Sequence, residues 1–185
     1  MKTLALCAAV AAVAFVTMAQ APAADDSAAG AAMVKPDGTI VMTTQDYQRD
    51  WAFLGTFAHP GDDGVKKFNV IYTQPETVSA YRETGEFPEG AVLIKELRGS
   101  EIKDNGGGPV ASLGELTGWF VMIKPPKEGG PQGPLWGDGW GWAKFDVDAP
   151  DATISTDYQK DCIACHLPVK DTDWVHVYAF PSLHQ

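Results

Sequence analysis

Cysteine is scarce in this chain. Only three occur in 185 residues, Cys7, Cys162 and Cys165. So few cannot build the disulfide framework of a small secreted scaffold, and no second close pair exists to complete a structural zinc site. Positive charge is also lacking. The net charge of −10 argues against nucleic acid, whose binding rests on basic contacts to phosphate. Beyond the first two dozen residues no apolar run approaches the length of a membrane span. Long stretches of helical periodicity are absent as well, and glycine and proline are frequent, which excludes a four-helix bundle. No methionine follows His166.

What the chain does have is Cys162-Ile163-Ala164-Cys165-His166. Paired cysteines two residues apart, followed at once by histidine, form the attachment pattern of a c-type haem. Each thiol adds across one porphyrin vinyl group, and the next imidazole is then held beneath the iron. The competing readings are a thioredoxin-like dithiol, a zinc site and a surface disulfide. The first wants a strand–helix setting, the second further ligands, and the third leaves His166 unexplained. One haem c, carried by Cys162, Cys165 and His166, is the expectation. The missing downstream methionine argues against a simple electron carrier and for an open sixth position on the iron.

Lys2, the apolar run Leu4 to Met18 and Ala21-Pro22-Ala23 read as a signal peptide over 1–23, so the mature protein is expected in the periplasm. Cys7 falls inside that leader. Residues 24–40 read as a flexible N-terminal arm and 41–185 as one domain, since about 160 residues suffice for a single core. An acidic surface suits a soluble redox partner, expected to be another cytochrome.

The pattern predicts an α+β fold, mostly antiparallel sheet with a few short helices. Thr44 is expected to cap a short helix over 46–51. Phe68 to Thr73, Ala91 to Leu97, Leu116 to Ile123 and Trp140 to Val147 read as strands. Pro75 opens a helix that Gly85 closes. Pro125 to Gly139 is a loop, Thr156 to His166 a helix, and the alternation over Trp174 to Phe180 predicts a closing strand. In the strand at 91–97, Leu93, Lys95 and Leu97 share one face while Val92, Ile94 and Glu96 share the other. A lysine between two leucines is either partly buried, with its charged form disfavoured, or an edge residue whose head reaches water. The Trp136, Trp140 and Trp142 cluster suits core or dimer packing. His59, His176 and His184 read as ordinary hydrogen-bonded or surface histidines.

Several of these segments, in order, resemble the cytochrome P-460 family, including its cytochrome c′-beta branch. They are the Tyr47-x-x-x-Trp51 helix followed by Gly55-Thr56, then Ile71-Tyr72-Thr73-Gln74-Pro75-Glu76 and Thr84-Gly85-Glu86-Phe87. Gly90-Ala91-Val92-Leu93-Ile94-Lys95-Glu96-Leu97, the haem motif and the Phe180-Pro181 ending complete them. The resemblance implies a homodimer of antiparallel sheets, hydroxylamine oxidation, and an additional bond from Lys95 to the porphyrin. It also implies a distal carboxylate, but Phe120 stands where that group is expected, and Asn69 where an arginine is expected. Glu115, nearby, is the candidate catalytic base, or else a solvated strand-end charge. A Phe120 cap would instead resemble the branch that binds nitric oxide and carbon monoxide without turnover.

Overall fold

The short helix at Tyr47–Asp50 anchors the N-terminal part of the chain, because its aromatics, Tyr47 and the adjoining Trp51, are buried beneath a sheet. The computed structural model describes residues 26–184, so the leader expected at 1–23, with Cys7, lies outside the described residues. The helices are α1 (Asp26–Ala32), α2 (Tyr47–Asp50), α3 (Pro75–Thr84), α4 (Tyr158–Asp161) and α5 (Ile163–His166). The strands are β1 (Ala52–Gly61), β2 (Gly64–Thr73), β3 (Val92–Asp104), β4 (Pro109–Ile123), β5 (Trp136–Gly137) and β6 (Trp140–Asp146). They form one six-stranded antiparallel sheet in the order β1-β2-β3-β4-β6-β5. The fold is α+β and predominantly antiparallel, as the sequence pattern predicts.

Each face of the sheet is covered. On one, Leu93, Ile71, Met122, Trp140 and Trp142 pack against Cys162, Val175, Val177 and Phe180 of the C-terminal segment. On the other, Val92, Ile94, Trp119, Val121 and Phe145 pack against Tyr47, Trp51, Met33 and Ile40. The segment expected as a flexible arm over 24–40 thus contributes α1 and two fully buried residues, Met33 and Ile40.

Helix α3 follows its sequence signals. Pro75 occupies the first turn, and Gly85 ends the helix with φ of 75°, a left-handed conformation that glycine adopts without steric cost. Other expectations need correction. Thr44 caps nothing in α2, whose N-cap is Asp46, without a side-chain cap bond. The expected helix over 156–166 breaks at Cys162 (φ −127°, ψ −44°) into α4 and α5. The expected strand over 174–180 holds instead a 3-10 turn, Val177–Ala179, with further 3-10 turns before it at Leu167–Thr172 and after it at Pro181–Leu183. Trp174 itself has φ of 63°, which no strand tolerates. Strand β1 has no counterpart among the expected elements. Its Gly55 leaves no room for a Cβ, which would fall 2.9 Å from the Ala179 carbonyl, so the C-terminal segment closes directly onto the strand.

Candidate functional site

The break between α4 and α5 places the two cysteines differently. Cys162 is buried, Cys165 is exposed, and both are free thiols. Burial pushes the Cys162 thiol up to about 11, which keeps it protonated at neutral pH. Among the described residues no cluster of three His, Cys, Asp or Glu side chains is arranged to hold a metal ion.

His166 is oriented by a local device. Its Nδ1 lies 2.7 Å from the Trp174 carbonyl, so the ring donates there and the neutral tautomer leaves its lone pair on Nε2. Burial drives the imidazole pKa down to about 4, so the ring is neutral. The carbonyl is presented by two consecutive residues in left-handed conformations, Asp173 (φ 55°) and Trp174 (φ 63°). Such conformations cost about 1–3 kcal/mol each and need outside support. Lys124 supplies it through an ion pair with the Asp173 carboxylate at 2.6 Å, and the Trp140 indole donates to the Asp173 carbonyl at 2.9 Å. The indole of Trp142 packs edge-on against His166 at 4.9 Å, and the His176 ring does so at 5.6 Å. Neither contact is visible in the sequence, where Trp142 reads as core or dimer packing and His176 as a surface or hydrogen-bonded histidine; the structure places His176 Nε2 3.2 Å from the Cys165 carbonyl.

Facing this segment is the sheet wall. Ladder register aligns Ile71 of β2, Lys95 of β3, Phe120 of β4 and Lys144 of β6 in one row. Leu93 and Met122 lie in the next row on that side. The Lys95 amine sits 4.4 Å from the centroid of the Phe120 ring, a cation–π distance. Among the described residues no carboxylate pairs with it. Burial lowers the Lys95 pKa, and Cys165 and Cys162 lie near enough that their ionised forms would oppose that shift, so the amine and the cysteines share one electrostatic environment. The structure thus brings Lys95, Phe120, Cys162, Cys165 and His166 to one side of the sheet. Glu115 is not brought there with them. It is exposed on β4, and two register shifts between Leu97 and Ser100 separate it from the Lys95–Phe120 row.

Against known proteins, a family model described as Cytochrome P460 matches residues 44–177. No curated protein matches the chain.

Proposed function

The chain belongs to the cytochrome P460 family, a family of haem cytochromes, and from that premise we propose an exported mono-haem c-type cytochrome acting on small nitrogen compounds, hydroxylamine or nitric oxide. The observation that carries this reading is the gathering of two cysteine thiols, a neutral imidazole whose Nδ1 is committed to the Trp174 carbonyl, and an amine with no carboxylate partner on one sheet face. Those donors fit a haem. Cys162 and Cys165 would bind it through thioethers, thiols adding across vinyl double bonds without any external oxidant, and His166 Nε2 would ligate the iron. When bound, the haem supplies a redox-active iron that takes a small nitrogen ligand and passes electrons onward.

The chain's own residues set the terms. Trp174 accepts the His166 N–H and so makes the imidazole a stronger donor. Phe120 and Met122 give that wall apolar surface, which disfavours bound water. Lys95 is the side chain assigned to the macrocycle, and Glu115 remains the carboxylate proposed as base in turnover. A second reading, ligand binding without turnover, is favoured by the exposure of Glu115 and by Phe120 on the wall.

Steady-state hydroxylamine oxidation by the haem-loaded protein, with an artificial electron acceptor, separates the two. Turnover sustains the enzyme. Tight nitric oxide binding without turnover sustains the gas-binding protein. A methionine-ligated six-coordinate spectrum would remove both. A Soret band far to the red, with no unmodified Lys95 peptide in a digest, would mark a bond between Lys95 and the porphyrin. Export to the periplasm, a soluble cytochrome partner and a homodimer belong to the same proposal.

A further inference from the structure

The wall that carries Lys95 also carries a buried polar pair to which haem attachment and iron ligation give no role. Asn69 of β2 lies opposite Leu97 of β3 and Phe57 of β1, so it shares the side of Ile71 and Lys95. The residue is 7% exposed. The amide Nδ2 is 2.9 Å from His59 Nε2, while Oδ1 is buried with no hydrogen-bond partner among the described residues. Phe57, beside Asn69, packs edge-on against His176 at 6.0 Å, and His176 in turn packs against His166. Asn69 therefore lies on the sheet face that the haem-motif segment covers.

An unpaired buried carbonyl costs about 1–3 kcal/mol, a debt that a donor from outside the chain would cancel. The arrangement is held in place. Burial and the nearby charges of Lys67 and Lys95 lower the His59 pKa, favouring the neutral ring, and the amide N–H facing Nε2 at 2.9 Å selects the tautomer in which that nitrogen accepts. That bond fixes the amide plane and turns Oδ1 away from His59. The charged groups of the Lys95–Phe120–Lys144 row are lysines, which only donate.

We propose that Asn69, held by His59, is a specificity-determining residue of the haem site, accepting a hydrogen bond from a bound nitrogen compound that carries an N–H or O–H. The inference rests on the proposed haem function. Hydroxylamine offers such donors, whereas nitric oxide and carbon monoxide offer none, so Asn69 discriminates between ligand classes that the apolar wall alone would treat alike.

The test uses the full haem-loaded protein and optical titrations. Asn69→Leu should weaken hydroxylamine binding to the ferric form about 10-fold, the effect of one lost hydrogen bond, and leave nitric oxide affinity of the ferrous form within about twofold. His59→Phe leaves the amide unanchored and should weaken hydroxylamine by a smaller factor. Independently of any binding, the C–O stretch of the ferrous carbon monoxide complex should fall in Asn69→Leu, because the oxygen lone pair that raises it is gone. An unchanged stretch with unchanged hydroxylamine affinity overturns the assignment, as does an equal loss for both ligands. Wild-type protein with full haem content that binds no hydroxylamine overturns the functional reading first, and this inference with it.

Discussion

Lys95 and Glu96 are neighbours in β3, and the sheet sends them to opposite faces with opposite outcomes. Glu96 is fully buried yet richly partnered. It accepts from the Tyr47 hydroxyl at 2.7 Å, from the Gln48 amide, and from Arg98 at 2.6 Å, while the Trp119 indole donates to Tyr47 behind it. Lys95 has an aromatic ring beneath its amine and, among the described residues, no carboxylate beside it. A buried charge surrounded by partners holds a structure together, and one left without them is held for something else. The Glu96 face is the scaffold, where α2 is pinned to the sheet. The Lys95 face is the working side.

Substitution should separate the two faces. Glu96→Ala strips Arg98 of its carboxylate and leaves the Tyr47 hydroxyl and the Gln48 amide without the acceptor they donate to. Urea unfolding of the haem-free chain should show a loss of about 3 kcal/mol, with the spectrum of the loaded protein unchanged. Equal damage to the spectrum would erase the distinction. Lys95→Met should act in the other direction, raising haem-free stability by about 1 kcal/mol by removing an unpaired polar head. A pH series sharpens the contrast. The folded Lys95 pKa is lowered by burial, so between that value and the ordinary lysine range the unfolded chain binds more protons. Wild-type stability should therefore gain as pH rises through that interval, and Lys95→Met should lack the gain. A flat difference between the two proteins would mean the amine is freely solvated. The smallest effect is expected at the proximal support. Lys124→Met loses a partly exposed ion pair worth about 1 kcal/mol or less, and it loosens the turn that presents the Trp174 carbonyl. A weaker acceptor at His166 Nδ1 makes the imidazole a poorer donor. The reduction potential of the loaded protein should rise, with Lys124→Arg restoring it, as read by spectroelectrochemistry.

The pair of faces is legible in the sequence, because a period of two assigns Lys95 and Glu96 to opposite sides once a strand is recognised. What Glu96 meets is not. Tyr47 sits 49 positions earlier, and nothing in the two segments that hold these residues signals that they touch. Strand β1 is hidden because Gly55, Pro60 and Gly61 interrupt its apolar pattern, and neither glycine nor proline favours a strand. Trp174 to Phe180 misleads in the opposite way. Aromatic and β-branched residues alternate there as in a strand, but the carbonyl that His166 needs forces Trp174 into positive φ. The placing of Glu115 depends on counting along β4, and register shifts defeat such a count.

The sequence by itself determined the chemistry of the donors: paired thiols and an imidazole at fixed spacing, a strand lysine between leucines, and a helix framed by Pro75 and Gly85. Local covalent spacing and backbone preference suffice for these, since each acts within a few residues. Only the tertiary structure decided which groups share the working face. The hold of Asp173 on the His166 turn, the Asn69–His59 pair and the removal of Glu115 from the Phe120 row all depend on strand register and on contacts between distant segments. Chain order does not encode such contacts in any local pattern.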